Sequence, residues 1–523
     1  MKALLLYPEL PLSFWSFKKS VRHSGKKAPF PPLGLTTLAA LLPTEWELRL
    51  VDLNCRSLKE DDWAWADMAM ISAMIAQDKE LAPLTRKAKD KGAIVVAGGP
   101  CPTSVPNEML ELGVDFVVRG EAENTIPHFL EVLGNTKPGV VIETKEKPDI
   151  TKSPVPRFDL LRLDDYVDFS IQTSRGCPFE CEFCDVISIF GRKPRYKNPE
   201  QVILELEALY KLGARGHIFI CDDNFIGNKI KARELLKRLI LWNKEREEPF
   251  GFNTQASLNL GQDLEMIDLM TAANFGEVFI GIESPDEKAI ELSRKYQNLQ
   301  NPIVESIDNI CRNGLAVQGS FIIGFDGEKR GAGKRICDLV DQTLIPLVMI
   351  NTLHAPPNTK LWQRLEKEER LLEKIPKGED GTFSKPNFVT DRPLEEIIKE
   401  KVDAWTHIYD PSLFLKRTYE YHLKMRPTRR AMALSKGEDT TSHLPDRNPP
   451  LKTRLRELYI FIHLLWHQGI RPHYRLQFWK QLFGMWKRNP SRMHKYIISC
   501  VMGEDIFEIR DLVRKKFFSN QPK

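Results

Sequence analysis

The sequence predicts an α/β protein in three parts: a doubly wound parallel sheet over 1–150, a partial (β/α)6 barrel over 151–375, and a mostly helical region over 376–523. Three observations carry that expectation. Short β-rich apolar runs alternate with helical patterns from residue 2 to about 133. The alternation restarts at 168 and yields six units by about 352. From 353 on, strand signals fade and helical, aromatic and basic patterns dominate. At 523 residues, 42% hydrophobic and 28% charged, the chain is long enough for two or three separately packed cores.

In the first part the expected strands are "KALLLY", "ELRLVDL", "MAMISAM", "AIVVAGG" and "DFVVRG", with "LGLTTLAALL" the first of the helical stretches. In such sheets ligands sit beyond the carboxyl ends of the strands, which here carry Pro8, Asp52, Ser72, Gly98, Gly99 and Gly120. Gly98-Gly99, followed by Pro100 and Thr103-Ser104, suits close approach of a large cofactor to the backbone. The alternative for these glycines is a plain turn. The second series has strands at "DFSIQTS", "HIFICDD", "FGFNTQA", "EVFIGIE", "VQGSFIIGF" and "PLVMINTL", separated by helices such as "PEQVILELEALYKLG" and "IKARELLKRLILWNKE".

The first strand of the second series runs into "GCPFECEFC", which places Cys177, Cys181 and Cys184 within eight positions on the face where barrel active sites collect. A structural zinc site wants four ligands, and no fourth Cys or His follows until His217, so C-x3-C-x2-C disfavours zinc. The odd count disfavours a disulfide, and the remaining six cysteines, at 55, 101, 221, 311, 337 and 500, are scattered as in a reducing compartment. A cubane iron-sulfur cluster held by three thiolates leaves one iron open for another ligand.

C-x3-C-x2-C after the first strand of a β/α series resembles the radical S-adenosylmethionine (radical SAM) superfamily, whose open iron chelates that cofactor. The resemblance implies a 4Fe-4S cluster on Cys177, Cys181 and Cys184, with Phe183 packing near the adenine. "CDDNF", "GIES" and "GSFIIGF" fall at later strands. There Glu283 resembles a ribose-hydroxyl acceptor, Ser320 a cofactor-contacting strand residue and Arg294 a partner for the cofactor carboxylate. A surface ion pair is the alternative for Glu283 and Arg294.

A doubly wound domain before such a barrel resembles the cobalamin-dependent branch. "PPLGLTTLAALLP" and "VAGGPCPTSVPNEMLELGVDFVVRGEAE" are similar to its Rossmann-like cobalamin-binding domain, so Gly98, Gly99 and Ser104 are expected beside cobalamin. No histidine lies between His23 and His128, so the resemblance implies a cobalt whose lower face has no His ligand. With "LLYPELPLSFWSF" and the helical region after 353, the likeness narrows to the group that includes the hopanoid C-2 methylases. It implies methylation of an unactivated carbon of a lipid-like substrate, with an external electron donor such as a flavodoxin or ferredoxin. A cobalamin-dependent radical cyclase or oxidase and a non-catalytic iron-sulfur sensor are the rival readings.

Residues 451–523 carry 15 Lys+Arg against 5 Asp+Glu, a net of +10, whereas the whole chain carries only +5. A Gly/Pro/Ser/Asp-rich stretch at 433–450 marks a boundary before this tail. Its Trp466, Tyr474, Phe478, Trp479, Phe483 and Trp486 interleave with Arg471, Arg475, Lys480, Lys487 and Arg488. An anionic membrane surface suits such a tail, and suits a lipid-like substrate better than nucleic acid does, so no nucleic acid is expected. The alternative is a helical cap with its aromatics packed inward.

"GEKRGAGK" has five residues between Gly327 and Gly333 where a phosphate loop wants four, and reads as a basic turn. "HLLWH" has the i,i+4 spacing of a zinc helix, but Leu464 stands where a catalytic Glu would follow, and His463 and His467 read as core or surface histidines. Cys221, beside Asp222 and Asp223 at a strand end, reads as a buried structural cysteine, and a position facing the active site is the alternative. Pro8 closes the short apolar run of "MKALLLYP", which reads as a strand rather than a signal peptide, and no apolar run reaches about 18 residues. The protein is expected in the cytoplasm, or peripherally at the inner face of a membrane.

Overall fold

The computed structural model describes residues 1–135, 137–372, 380–437 and 451–518, without the side chains of 452 and 453. The expected boundary at 375/376 and most of the 433–450 stretch lie outside the described residues. The chain is α/β, with a parallel N-terminal sheet, a second parallel sheet of six strands, and a helical C-terminal region.

The first sheet contains β1 (Lys2–Tyr7), β2 (Glu47–Asp52), β3 (Met68–Ser72), β4 (Ile94–Gly98), β5 (Phe116–Arg119) and β6 (Val140–Glu143), all parallel in the order β2-β1-β3-β4-β5-β6. Strands covered on both faces read as continuous apolar runs, and β1 shows why. Leu4 and Leu6 pack with Leu81, Leu84 and Ala88 on one face. Ala3 and Leu5 pack with Leu35 and Ala39 on the other. The sixth strand lies beyond the segment where the sequence showed alternation; its short "VVIE" has no helical stretch behind it to mark a unit.

The second sheet has β7 (Phe169–Ile171), then a two-residue antiparallel pair, β8 (Ser174–Arg175) with β9 (Arg195–Tyr196), which stands apart from it. β10 (Gly216–Ile220), β11 (Phe250–Ala256), β12 (Phe275–Glu283), β13 (Ala316–Ile323) and β14 (Val348–Thr352) complete the sheet in the order β14-β13-β12-β11-β10-β7. Every pairing is parallel, as right-handed β/α crossovers require. All six expected strands form. The pair β8–β9 was not legible because each strand is two residues long, too short for any periodicity.

An open sheet leaves β14 as an edge, which needs cover. The C-terminal helices supply it. From the end of helix Leu394–Ile408, the buried Tyr409 hydroxyl donates to the Val348 carbonyl (2.5 Å) and accepts from the Val348 N–H (2.8 Å). Trp405 Nε1 donates to the Ile350 carbonyl at 3.0 Å. One phenol and one indole thus satisfy edge groups that a neighbouring strand would otherwise take. Long helices at Pro411–Lys424, Leu451–Leu464, Arg475–Arg488 and Met493–Phe518 pack outside this layer. Among the described residues no helix is long and apolar enough to cross a membrane.

Replacing Tyr409 with Phe leaves the Val348 N–H and C=O buried without partners. The expected cost is about 2 kcal/mol, read as a lower midpoint in urea unfolding of the barrel. An unchanged midpoint would show that the edge is not held by this side chain.

Candidate active site

The cysteine loop is set by two adjacent carboxylates at the carboxyl end of β10. Asp222 is fully buried and accepts four hydrogen bonds: from the Thr173 N–H (2.7 Å) and hydroxyl (2.5 Å), and from the Ser174 N–H (3.0 Å) and hydroxyl (2.7 Å). Burial pushes its carboxyl above the ordinary range, and these four donors oppose that shift. Asp223 accepts from the Gly176 N–H at 2.8 Å, and burial raises its carboxyl to about 6. Gly176 has φ +96°, and a Cβ there would stand 2.8 Å from the Gly191 carbonyl oxygen, so only glycine turns the chain into the loop. Cys177 N–H closes the loop on that same carbonyl.

Cys177, Cys181 and Cys184 are half-buried free thiols. Burial raises the Cys177 and Cys184 thiols, and the neighbouring cysteine charges raise them further. Three thiolates brought together in this way need a bound cationic group, which iron supplies, so the donor set fits a cluster. Gln297 Nε2 donates to Cys181 Sγ at 3.5 Å.

The neighbouring polar pocket is built on β12 and β13. Their register shifts between Gly281 and Glu283, and Glu283 takes φ +66°, a left-handed conformation uncommon outside glycine. Its carboxylate is buried. Lys295 Nζ donates to Glu283 Oε1 at 2.5 Å, and the Ser320 hydroxyl donates to Oε2 at 3.1 Å. A Cβ on Gly281 would meet Glu283 Oε1 at 2.3 Å and Lys295 Nζ at 2.7 Å, so glycine clears the space for this pair. Burial lowers the Lys295 pKa, but Glu283 and then Cys181 outweigh it, and the net shift is upward. The same ammonium stands 5.9 Å from the ring centre of Phe183, which packs edge-on against Phe325.

Phe183, Glu283 and Ser320 therefore gather beside the three cysteines. Glu283 belongs to a buried pair, not a surface one. Arg294 is exposed, with φ +59°, and the buried cation at this place is its neighbour Lys295. Lys295 and Gln297 were missed. They lie at and in the one-turn helix Tyr296–Leu299, too short for any periodicity, and only the Gly281 clearance hints at a large side chain opposite.

The carboxyl ends of the two sheets face one another. Tyr7, at the end of β1, has its phenol raised to about 12 by burial and by Asp52, with a smaller contribution from Cys221 at the end of β10. Cys221, just after β10, is half-buried, and burial raises its thiol to about 12. Tyr166 donates to Asp52 Oδ2 at 3.1 Å. Gly98 ends β4, and a Cβ on Gly99 would stand 2.8 Å from Ser72 Oγ. Ser104 is buried, and its carbonyl accepts from Asn358 Nδ2 at 2.8 Å. Arg175 and Arg195 lock the two parts together. Arg175 pairs with Glu121 and Glu123 at 2.8 Å each, and Arg195 with Glu121 at 2.7 Å. Burial opposes ionisation of Glu123, yet Arg175 holds its carboxyl down at about 2. Among the described residues no histidine stands at the strand ends of the first sheet, and Met74, 48% exposed beside Tyr7, offers apolar surface there. The glycines at the end of β4 and this exposed apolar side chain give a mouth that fits a large macrocycle.

Two parallel α/β layers meeting over a three-cysteine loop define a radical SAM enzyme carrying a cobalamin-binding domain. Family models agree: residues 27–130 match the B12 binding domain, 171–340 the radical SAM superfamily, and 359–518 a domain of unknown function (DUF4070). The chain is 44% identical to an uncharacterized methyltransferase of Synechocystis sp., over 99% of this chain and 93% of that protein. It is 34% identical to a hopanoid C-2 methylase of Rhodopseudomonas palustris, over 92% of this chain and 88% of that one. Two solved folds are similar. The radical S-adenosylmethionine methyltransferase TsrM from Kitasatospora setae, with cobalamin and a 4Fe-4S cluster bound, has TM-score 0.60 at 15% identity, covering 97% of this chain and 99% of that one. The cobalamin-dependent radical enzyme OxsB has TM-score 0.60 at 17% identity, covering 99% and 80%. The chain belongs to the cobalamin-binding radical SAM family. It is a methyltransferase whose cofactors are a 4Fe-4S cluster, S-adenosylmethionine and cobalamin.

Asp222→Ala strips Thr173 and Ser174 of their acceptor and is expected to cost about 3 kcal/mol in denaturant unfolding, with loss of iron from the purified protein. Wild-type stability and iron content in this variant would remove Asp222 as the brace of the loop.

Proposed function

We propose that this enzyme methylates an unactivated carbon of a lipid-like substrate, a hopanoid at C-2. The observation that carries the reading is the end-to-end similarity to a hopanoid C-2 methylase, which spans all three parts of the chain rather than the cofactor domains alone. The full-length methyltransferase relative favours methyl transfer over the cyclase, oxidase or sensor readings.

Bound together, the three cofactors supply a methyl group and a substrate radical, which a carbon without a lone pair requires. In this reading Cys177, Cys181 and Cys184 ligate the cluster. Phe183 packs near the adenine of S-adenosylmethionine, Glu283 faces its ribose, and Ser320 holds the Glu283 carboxylate in place. Lys295 puts a buried positive charge beside the thiolates, where the exposed Arg294 puts none. Gly98, Gly99 and Ser104 border the cobalamin mouth, and the arginine clamp from Glu121 to Arg195 keeps that mouth opposite the cysteine loop. The division into 1–150, 151–375 and 376–523 follows from the same assignment, and a flavodoxin- or ferredoxin-type protein supplies electrons.

A lipid-like substrate is best met at a membrane surface, which places the protein in the cytoplasm with peripheral contact at the inner face. The helical tail supports this. Leu455, Leu458, Tyr459, Ile462 and Trp466 share one helix face and are each about half exposed. Leu476, Phe483 and Trp486 extend the exposed apolar set, flanked by Arg471, Arg475, Lys480, Lys487 and Arg488. Phe478 turns inward, so the inward and outward alternatives for the tail aromatics each hold for part of them.

In a hopanoid-producing host, expression of the intact chain is expected to yield hopanoids heavier by one methylene unit at C-2, and Cys184→Ser none, by mass spectrometry of lipid extracts. Unchanged lipids from a chain loaded with cluster and cobalamin would overturn the hopanoid assignment. Each cysteine-to-serine variant is expected to lose nearly all iron and deoxyadenosine formation. The combined Leu476→Ser, Phe483→Ser, Trp486→Ser chain is expected to lose about 10-fold or more in sedimentation with anionic vesicles. Wild-type sedimentation of that variant would remove the membrane face.

A further inference from the structure

The helical tail also assembles a set of metal-ligating side chains remote in sequence from the cysteine loop. His463 ends the helix Leu451–Leu464, His467 sits in a π-helical turn at Leu465–Ile470, and Glu504 comes from the helix Met493–Phe518. A ligand atom of each lies within 4.8 Å of the others. The His463 and His467 rings stack at 4.1 Å, and His463 Nδ1 stands 3.7 Å from Glu504 Oε2. From a fourth element, the short helix Lys18–His23, the His23 ring lies 4.1 Å from that of His463. We propose that His463, His467 and Glu504, with His23 as the fourth ligand, bind a divalent transition-metal ion of the zinc class.

Several local features serve such a site. A π-helical turn is rare and often marks a functional site, and this one re-aims His467 after His463. The buried Gln468 in the same turn donates to the Cys500 carbonyl (2.7 Å) and to Glu504 Oε1 (3.4 Å), orienting the carboxylate as an outer-shell partner of a metal site would. Lys19, the nearby ammonium, is paired with Glu508 at 3.1 Å. Helix 18–23 is fixed over the site because Asp505 accepts from the Lys19 N–H (2.7 Å), the Ser20 N–H (3.0 Å) and the Ser20 hydroxyl. Ligands on a tetrahedral zinc stand about 3.3 Å apart, so His463, His467 and Glu504, already within 4.8 Å of one another, need only small side-chain movements to close on one ion. Imidazoles with one carboxylate and no thiolate suit zinc. Leu464 follows His463 where a hydrolytic site would carry its base, so the ion has a structural role: it ties the N-terminal helix to two tail helices.

The test is zinc content and competition with a zinc-chelating dye, using the full chain loaded with cluster and cobalamin. One zinc per chain is expected in the wild type. It is also expected in a chain whose three cluster cysteines are serine, which separates this site from zinc held by empty thiols. His463→Ala/His467→Ala is expected to weaken binding by about 100-fold or more, and Glu504→Gln by about 10-fold or more. Added zinc should raise the melting temperature of the wild type but not of these variants. Should the double variant fail to fold, Glu504→Gln and the partly exposed His23→Gln carry the test. No zinc taken up by the wild type at micromolar concentration, or wild-type affinity in the variants, would overturn the proposal.

Discussion

The buried Asp222 carboxylate, with its four donors, fixes the turn on which the cysteine loop depends. A carboxylate buried without donors would be protonated or expelled. Here four donors from Thr173 and Ser174 converge on it, and the chain cannot leave β7 by any other path without breaking them. Asp223 then takes the Gly176 N–H, and the loop that follows presents three cysteines at the carboxyl face of the barrel. The two acidic residues are a structural hinge between strand and loop, so the cluster site inherits the rigidity of β10.

The electrostatics of the site form one connected system. Thiolates repel one another, Lys295 offsets part of that repulsion, and Glu283 keeps Lys295 charged in spite of its burial. The cost is visible in the backbone, where Glu283 sits in a left-handed conformation at a register shift between β12 and β13. The neighbouring β13, buried along nearly its whole length, holds that strain in place. Between the domains, Arg175 and Arg195 answer Glu121 and Glu123 in a largely desolvated clamp, which sets the distance and angle between the two carboxyl faces.

The helical C-terminal region completes the barrel as well as extending it. Tyr409 and Trp405 bond to β14 as a seventh strand would, leaving the opposite face of that region free for its exposed apolar stripe.

Alternation of apolar runs was enough to place eleven of the strands in the two sheets, because a parallel strand buried on both faces must be continuously apolar whatever its neighbours are. The spacing of Cys177, Cys181 and Cys184 was likewise legible, since ligands on one loop leave a local signature. Tertiary structure alone decided the rest. Lys295 pairs with Glu283 from 12 residues away across the short helix Glu287–Leu292, Arg175 meets Glu123 across 52 residues, and His23 reaches His463 from the other end of the chain. Such pairings depend on which surfaces meet after the layers fold, and local periodicity carries no information about distance between layers.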